Sequence, residues 1–132
     1  MIVGLGMDIV EIARIRHTLE RFGLHFINRI LHRSEADTNP HSKYDILSER
    51  NIARIAARFA AKEAGAKALG TGFTGGILFQ DIRILSLASG KPEIIFHGKA
   101  LEHANTLGVT HAHVSLTHAR DTAGAVVVLE SL

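Results

Sequence analysis

The sequence contains no cysteine and no tryptophan, and aromatic side chains make up only 5% of its 132 residues. Without cysteine the chain can form no disulfide, no thiolate nucleophile and no cysteine-ligated zinc site. So few aromatic rings argue against a surface on which nucleic-acid bases stack. We therefore expect no nucleic-acid partner.

The chain also lacks an apolar run near the ~18 residues that a membrane-spanning helix needs. Its first residues reach acidic side chains too early for a signal peptide. The 15 basic and 13 acidic residues give a net charge of only +2, and 46% of the residues are apolar. These features predict a folded protein without membrane contact, located in the cytoplasm and forming a single domain over residues 1–132.

Hydrophobic spacing and turn residues predict the elements of an α+β fold with a small antiparallel sheet. The predicted helices cover residues 8–22, with Asp8 as the candidate start, 26–31, 49–69 and 99–107, and the predicted strands cover residues 2–6, 77–87, 93–96, 109–116 and 123–130. Ser48 is placed to cap the long helix and Gly70 to end it. The last strand is apolar on both faces, so a second layer or another subunit should cover it. Residues 34–44 are predicted to form a loop or the frayed end of a helix.

Two acidic residues are candidates for chemistry. Asp8 follows the first strand, and with Glu11 it has the spacing of a helix cap, although a carboxylate at a strand end is also a good ligand for a hard metal ion. Glu63 falls near the centre of the apolar stripe of the long helix, where a carboxylate must be paired, protonated or bound to a cation. A structural and a functional interpretation stay open for both residues.

Basic residues form two rows on separate helices. On the long helix Arg50, Arg54, Arg58 and Lys62 are four residues apart, so they form one ridge that either pairs with acids elsewhere or binds a polyanion. Lys67 lies outside this ridge, where a solvated lysine is the ordinary expectation. On the first helix Arg14, His17 and Arg21 form a basic face that is either solvated or docks an acidic partner.

The remaining histidine and glycine patterns are weaker. His111 and His113 share one face of a strand, but no further ligand is spaced for zinc. His118 lies on the same predicted strand face as the apolar residues Ala112, Val114 and Leu116, which is typical of a core or edge histidine. The glycine-rich residues 70–76 follow the end of a helix and lack the Gly-Lys-Ser/Thr ending, so they do not form a nucleotide-binding P-loop.

Four segments together resemble the family of holo-[acyl-carrier-protein] synthases, the small trimeric 4′-phosphopantetheinyl transferases. Residues 4–15 (GLGMDIVEIARI) resemble the opening motif of that family, and residues 58–72 (RFAAKEAGAKALGTG) resemble its second motif. Residues 89–92 (SGKP) and 114–118 (VSLTH) resemble two later segments, with Thr117 where the family often has serine. The resemblance covers nearly the whole chain in the same order.

This resemblance implies a 4′-phosphopantetheinyl transferase-like fold and a defined reaction. Such enzymes move phosphopantetheine from coenzyme A to a serine of apo acyl carrier protein and release adenosine 3′,5′-bisphosphate, a step associated with fatty acid biosynthesis. The resemblance also implies Mg²⁺ as cofactor and a homotrimer whose active sites lie between subunits. Two alternatives from the residues alone are a basic RNA-associated module and another Mg²⁺-dependent phosphate enzyme, such as a nucleotide hydrolase.

The resemblance also assigns roles to individual residues. It implies that Asp8 and Glu63 bind the metal ion and that Arg14 and Arg21 dock the carrier protein. The implied coenzyme A contacts are Arg50, Arg58, Lys67, Gly70 and His118. Lys62, inside the second motif, is expected to neutralise a phosphate. The proton of the carrier serine would pass either to Glu63 or to a water on the metal ion.

Overall fold

The computed structural model of the protein describes residues 1–35 and 46–132. Its elements are β1 (Ile2–Glu11), α1 (Ile12–Phe22), α2 (Leu24–Ile30), α3 (Glu49–Leu69), β2 (Ile82–Ser86), β3 (Pro92–Phe96), α4 (Gly98–Thr106), β4 (His111–His118) and β5 (Thr122–Glu130). Short 3₁₀ turns lie at Arg33–Glu35 and Phe79–Asp81. Within the described ranges, no helix is both long enough and apolar enough to cross a bilayer.

The strands form two antiparallel sheets. One has three strands in the order β1–β5–β4, and the other is the hairpin of β2 and β3. The predicted α+β class is therefore confirmed, with the first strand of the chain at one edge of the larger sheet and β4 at the other.

The long helix α3 packs against both sheets and forms the centre of the core. It begins as predicted, because the Ser48 hydroxyl accepts a hydrogen bond from the Asn51 backbone N–H at 3.2 Å. It ends at Gly70, whose φ of 79° is readily adopted by glycine. Most of its residues are buried, which explains why so many of them are alanine.

Two glycines let β1 lie directly against the backbone of α3. A Cβ atom on Gly6 would stand 1.9 Å from the carbonyl oxygen of Ala64, and one on Gly4 would stand 2.2 Å from that of Ala68. Neither contact is possible for a residue with a side chain. This close approach brings the inward face of β1, which includes Asp8, onto the second half of α3.

The predicted helix start at Asp8 is wrong, because β1 continues through Glu11. Asp8 pairs with Ala125 of β5, and Glu11 still pairs with Thr122. The first helix begins at Ile12, and Glu11 before it has an extended backbone and makes no side-chain cap. Pairing with a distant strand therefore overrides the local capping pattern.

Other predicted boundaries change less. Helix α1 ends at Gly23 as expected, whereas the predicted strand 77–87 is shorter, because Phe79–Asp81 forms a 3₁₀ turn in which the Asp81 carboxylate accepts a hydrogen bond from the Leu78 N–H. Of the predicted loop 34–44, only Ser34 and Glu35 lie within the described residues.

One face of the larger sheet is left uncovered by the described residues, 1–35 and 46–132. On β1 the side chains of Leu5, Met7 and Ile9 point away from α3, and each is more than 60% exposed. Next to them on β5 lie Val126 and Val128, which are only partly buried. This apolar face, defined by these five residues, agrees with the expectation that the last strand needs a further covering layer.

Candidate active site

An acidic pair and a lysine meet where β1 crosses α3. The Lys67 ammonium donates hydrogen bonds to the Asp8 carboxylate and to the Met7 carbonyl oxygen, each at 3.0 Å. The Asp8 side chain is 19% exposed and the Lys67 side chain 53%. Lys67 is therefore not a simply solvated lysine but a cation held against β1. We call Asp8, Glu63 and Lys67 the acid cluster.

Glu63 lies one turn before Lys67, and its carboxyl interacts electrostatically with the Asp8 carboxylate. Partial burial is the main cause that raises the pKa of the Glu63 carboxyl, and the nearby Asp8 carboxylate raises it further. The positive charges of Lys67 and Arg14 act in the opposite direction. Two carboxylates that repel each other at a partly desolvated position favour a bound cation.

The donor set of this cluster suits a hard divalent cation. Mg²⁺ in phosphate-transfer sites is commonly held by one or two carboxylates together with substrate phosphates and water. Asp8 and Glu63 supply these oxygens, and the carbonyl oxygen of Met7 already holds a cation, the Lys67 ammonium. Across residues 1–35 and 46–132 there is no cluster of three or more histidine, aspartate or glutamate ligands.

A cationic pocket of about 370 Å³ lies on the other side of α3, at its first half. Its charged lining consists of Arg50, Arg54, Arg58 and His118. His118 is the exposed last residue of β4, on the sheet face that packs against α3. Three guanidinium groups around one cavity favour a ligand with several negative charges, such as one that carries phosphates.

The acid cluster and the cationic pocket lie at opposite edges of the larger sheet. Asp8 on β1 and Leu116 on β4 both pair with Ala125 of β5, so the two edge strands stand about 10 Å apart. The structure thus brings Asp8, Glu63 and Lys67 together and, separately, Arg50, Arg58 and His118. Gly70 ends α3 one turn beyond Lys67 and lines neither group.

Lys62 is the most deeply buried member of its ridge, in which Arg58 is also buried. Its side chain is fully buried and donates hydrogen bonds to the Glu35 carboxylate at 2.8 Å and to the carbonyl oxygens of Phe79 and Ile82 at 2.8 Å and 2.5 Å. Burial lowers the pKa of Lys62 to about 8, against the opposing effect of Glu35. The expectation that Lys62 neutralises a substrate phosphate is corrected here, because its ammonium is enclosed and fully bonded.

The basic face of α1 is exposed, as its spacing predicts. Arg14, His17 and Arg21 all point to solvent, and the Arg21 guanidinium stacks over the Phe22 ring at 5.1 Å. Arg14 is close enough to Glu63 to lower the pKa of its carboxyl. Within the basic face, Arg14 is therefore the residue that lies near the acid cluster.

Two features of the structure have no signal in the sequence. The pattern around Glu35 predicts a loop, and nothing near it indicates a buried partner 27 residues away. The sequence pattern also ends the first strand at Gly6, so it does not predict that Met7 and Ile9 are outward residues of β1. The paired histidines of β4, by contrast, form no metal site with a third ligand within the described residues, and His113 bonds Glu130, which lowers the pKa of that carboxyl.

Comparison with known proteins identifies the family. Residues 4–127 match the family model described as the 4′-phosphopantetheinyl transferase superfamily. The chain belongs to the 4′-phosphopantetheinyl transferase superfamily. Membership makes it a transferase of phosphopantetheinyl groups. The matched residues include both the acid cluster and the cationic pocket.

Members of this superfamily resemble the chain over its full length. The holo-[acyl-carrier-protein] synthase of Nitratidesulfovibrio vulgaris (strain Hildenborough) is 50% identical over 131 residues, which cover 99% of this chain and 100% of that protein. The crystal structure of the synthase from Neisseria meningitidis has a TM-score of 0.84 and 39% identity, with 99% and 100% of the two chains covered. The Helicobacter pylori synthase, solved in complex with coenzyme A, has a TM-score of 0.78 and 32% identity, with 96% and 99% covered.

Proposed function

We propose that this chain, acting over residues 1–132, transfers 4′-phosphopantetheine from coenzyme A to a serine of apo acyl carrier protein. The names of its relatives support this substrate pair, and one of them is described with coenzyme A bound. The observation that carries the proposal is the pairing of Asp8 with Glu63 beside Lys67 on one side of α3, with a cationic pocket on its other side.

The reaction exchanges the phosphoanhydride bond of coenzyme A for a phosphodiester bond to the carrier serine. The serine oxygen of the carrier attacks the phosphorus that bears the pantetheine arm, and the bond from that phosphorus to the bridging oxygen of the pyrophosphate breaks. Adenosine 3′,5′-bisphosphate leaves with the bridging oxygen. Glu63 accepts the serine proton, and Lys67 offsets negative charge on the phosphates beside Asp8. Bound by Asp8 and Glu63, Mg²⁺ would supply electrostatic stabilisation of the pyrophosphate.

The cationic pocket would hold the adenosine end of coenzyme A. Arg50, Arg58 and His118 line one cavity, and coenzyme A carries three phosphates whose charges these groups can neutralise. We place Gly70 near the path of the pantetheine arm, because it ends the helix one turn after Lys67. The expected consequence is that substitutions in this pocket raise KM for coenzyme A.

The exposed basic face of α1 would receive the carrier protein. Arg14 and Arg21 are seven residues apart on one side of α1, and Arg14 lies near Glu63. An acidic helix docked along this face would bring its neighbouring serine toward the acid cluster, with an association rate that falls as salt rises.

We further propose that the protein is a homotrimer with active sites at subunit interfaces. The apolar face of Leu5, Met7, Ile9, Val126 and Val128 supports burial against other copies. The separation of the acid cluster from the cationic pocket supports a site that takes one half from each of two protomers.

Mixed trimers test that shared site. Glu63→Gln removes a carboxylate from the acid cluster, and His118→Ala with Arg58→Ala removes charge from the cationic pocket. Each variant alone should be inactive or weakly active, whereas unfolding and refolding the two together should restore part of the transfer activity. A mixture with no more activity than its components would contradict a site shared between protomers.

Mass spectrometry tests the reaction itself. After incubation with coenzyme A and Mg²⁺, apo acyl carrier protein should gain the mass of one phosphopantetheinyl group, and a carrier whose serine is replaced by alanine should gain none. Glu63→Gln should abolish the gain without loss of fold. Release of the adenosine product in the absence of carrier would indicate a hydrolase instead.

Mg²⁺ use, a role in fatty acid biosynthesis and a cytoplasmic location stay predictions.

A further inference from the structure

The ion pair between Glu35 and Lys62 is the most completely enclosed polar group of the described residues. Both side chains have zero exposure, and the two charged atoms are 2.8 Å apart. The Glu35 carboxylate also accepts hydrogen bonds from the backbone N–H groups of His32 at 2.9 Å and Ile84 at 3.1 Å. Three separate parts of the chain therefore meet at this pair: the turn after α2, the long helix α3 and the strand β2.

Stability alone is a poor explanation for such a pair. The desolvation of two charges offsets much of their attraction, and replacing both partners by apolar side chains of similar volume is often neutral or stabilising. The arrangement does, however, fix geometry, because the Lys62 ammonium has three acceptors in set directions. A pair that adds little stability but fixes direction points to a role in placing a neighbouring group.

That neighbour is Glu63, the next residue of α3. With side chains included, a helix has a radius of about 5–6 Å, so rotating it by 10° about its axis moves a side-chain end by about 1 Å. A displacement of that size in a catalytic group costs about 100-fold in rate. The Lys62 bonds prevent this rotation from one side, and the backbone contacts of Gly4 and Gly6 prevent it from another.

We propose that Glu35 and Lys62 are positioning residues for the transfer reaction, because their buried pair fixes the rotation of α3 and so holds Glu63 beside Asp8. The inference rests on the proposed transferase function. It gives Lys62 a role through Glu63 in place of a direct contact with phosphate.

The decisive variant removes both charges together, as Glu35→Leu with Lys62→Met, so that no unpaired charge stays buried. The double variant should fold with a thermal midpoint near that of the wild type. Its kcat should fall at least about 10-fold, while KM for coenzyme A and for the carrier changes less than about threefold. Without metal or substrate, the NMR amide resonances of Asp8 and Lys67 should shift, because the contact between these residues changes.

Two further variants complete the test. Ile94→Val removes one methyl group from the core on β3 and serves as the control for a purely structural change, with kcat and both resonances unaltered. Glu35→Gln keeps the shape of the side chain and weakens the pair, so it should lower kcat by less than the double variant does. Wild-type kcat in folded protein of either Glu35 variant would overturn the proposal. A wild-type protein that transfers nothing to the carrier would instead overturn the proposed function.

Discussion

Replacing Gly6 by alanine should damage the active site through the backbone, without touching any charged group. The new Cβ would lie 1.9 Å from the Ala64 carbonyl oxygen and 2.6 Å from the Ala68 backbone nitrogen. Since Cβ contacts under 3.0 Å essentially never occur, strand and helix must separate by about 1.1 Å. Asp8 follows on the same strand, whereas Glu63 and Lys67 flank the contact on the helix, so the acid cluster opens by a similar distance.

The expected magnitudes follow from that displacement. Overpacking of this kind costs about 1–3 kcal/mol, which corresponds to a fall of roughly 3–15 °C in thermal midpoint for a chain of this length. A misplacement of about 1 Å at the reacting groups should lower kcat by about 100-fold. The assay is transfer to apo acyl carrier protein followed by mass spectrometry, together with calorimetric melting.

Gly65→Ala is the matched control for this prediction. It adds the same methyl group two residues from Glu63, but the nearest atoms are side-chain methyl groups and not backbone, Ile82 Cγ2 at 3.1 Å and Ile94 Cδ1 at 3.2 Å. These contacts require an adjustment of only a few tenths of an ångström, and alanine favours the helix by up to about 1 kcal/mol, so stability and kcat should change much less than in Gly6→Ala. If Gly6→Ala keeps the melting point and kcat of the wild type, then direct backbone contact does not position this site.

Three further predictions concern charge and assembly. Glu63→Gln should melt at a higher temperature than the wild type at pH 7. The pKa of Glu63 is raised in the folded protein, so the free energy of unfolding of the wild type falls as pH rises through that pKa. The difference in melting temperature should vanish below about pH 4.5, where the Glu63 carboxyl is protonated in both the folded and the unfolded chain. Calorimetry across pH checks it, and a lower midpoint at pH 7 would contradict the sign. Arg14→Glu with Arg21→Glu should raise KM for the carrier by 10-fold or more and leave KM for coenzyme A nearly unchanged, whereas equal effects in steady-state kinetics would argue against docking. Met7→Glu should reduce the mass measured by light scattering from that of three chains to that of one, and an unchanged mass would exclude the apolar face as an interface.

The sequence predicted best those features that short segments determine. The long helix was placed correctly because Ser48 and Gly70 mark its ends and apolar residues recur between them at helical spacing. The same local reasoning failed at Asp8, where pairing with Ala125, more than a hundred residues away, keeps the chain extended. No local signal reports such a partner.

The sequence predicts the residue types of the candidate site, but it does not predict which basic residues line the pocket and which are buried in the core. The ridge on α3 predicts either pairing with acids or binding of a polyanion, and its members Arg50, Arg54 and Arg58 line one pocket in the structure. Spacing could not separate Lys62 from it, because the acid that binds Lys62 lies in a segment of loop-like composition. Two members of this evenly spaced row, Arg58 and Lys62, are buried because of tertiary packing, which periodicity alone does not describe.

In the proposed trimer, the alternation of side chains along β1 would link catalysis to protein concentration. Inward residues of this strand contact α3 and include Asp8, whereas the outward residues Leu5, Met7 and Ile9 belong to the apolar face. A protomer separated from the proposed trimer would expose these side chains to water and lose the neighbour proposed to complete its site. Specific activity and melting temperature are therefore expected to decline together on dilution, and the stability of such a trimer has a defined value only at a stated concentration.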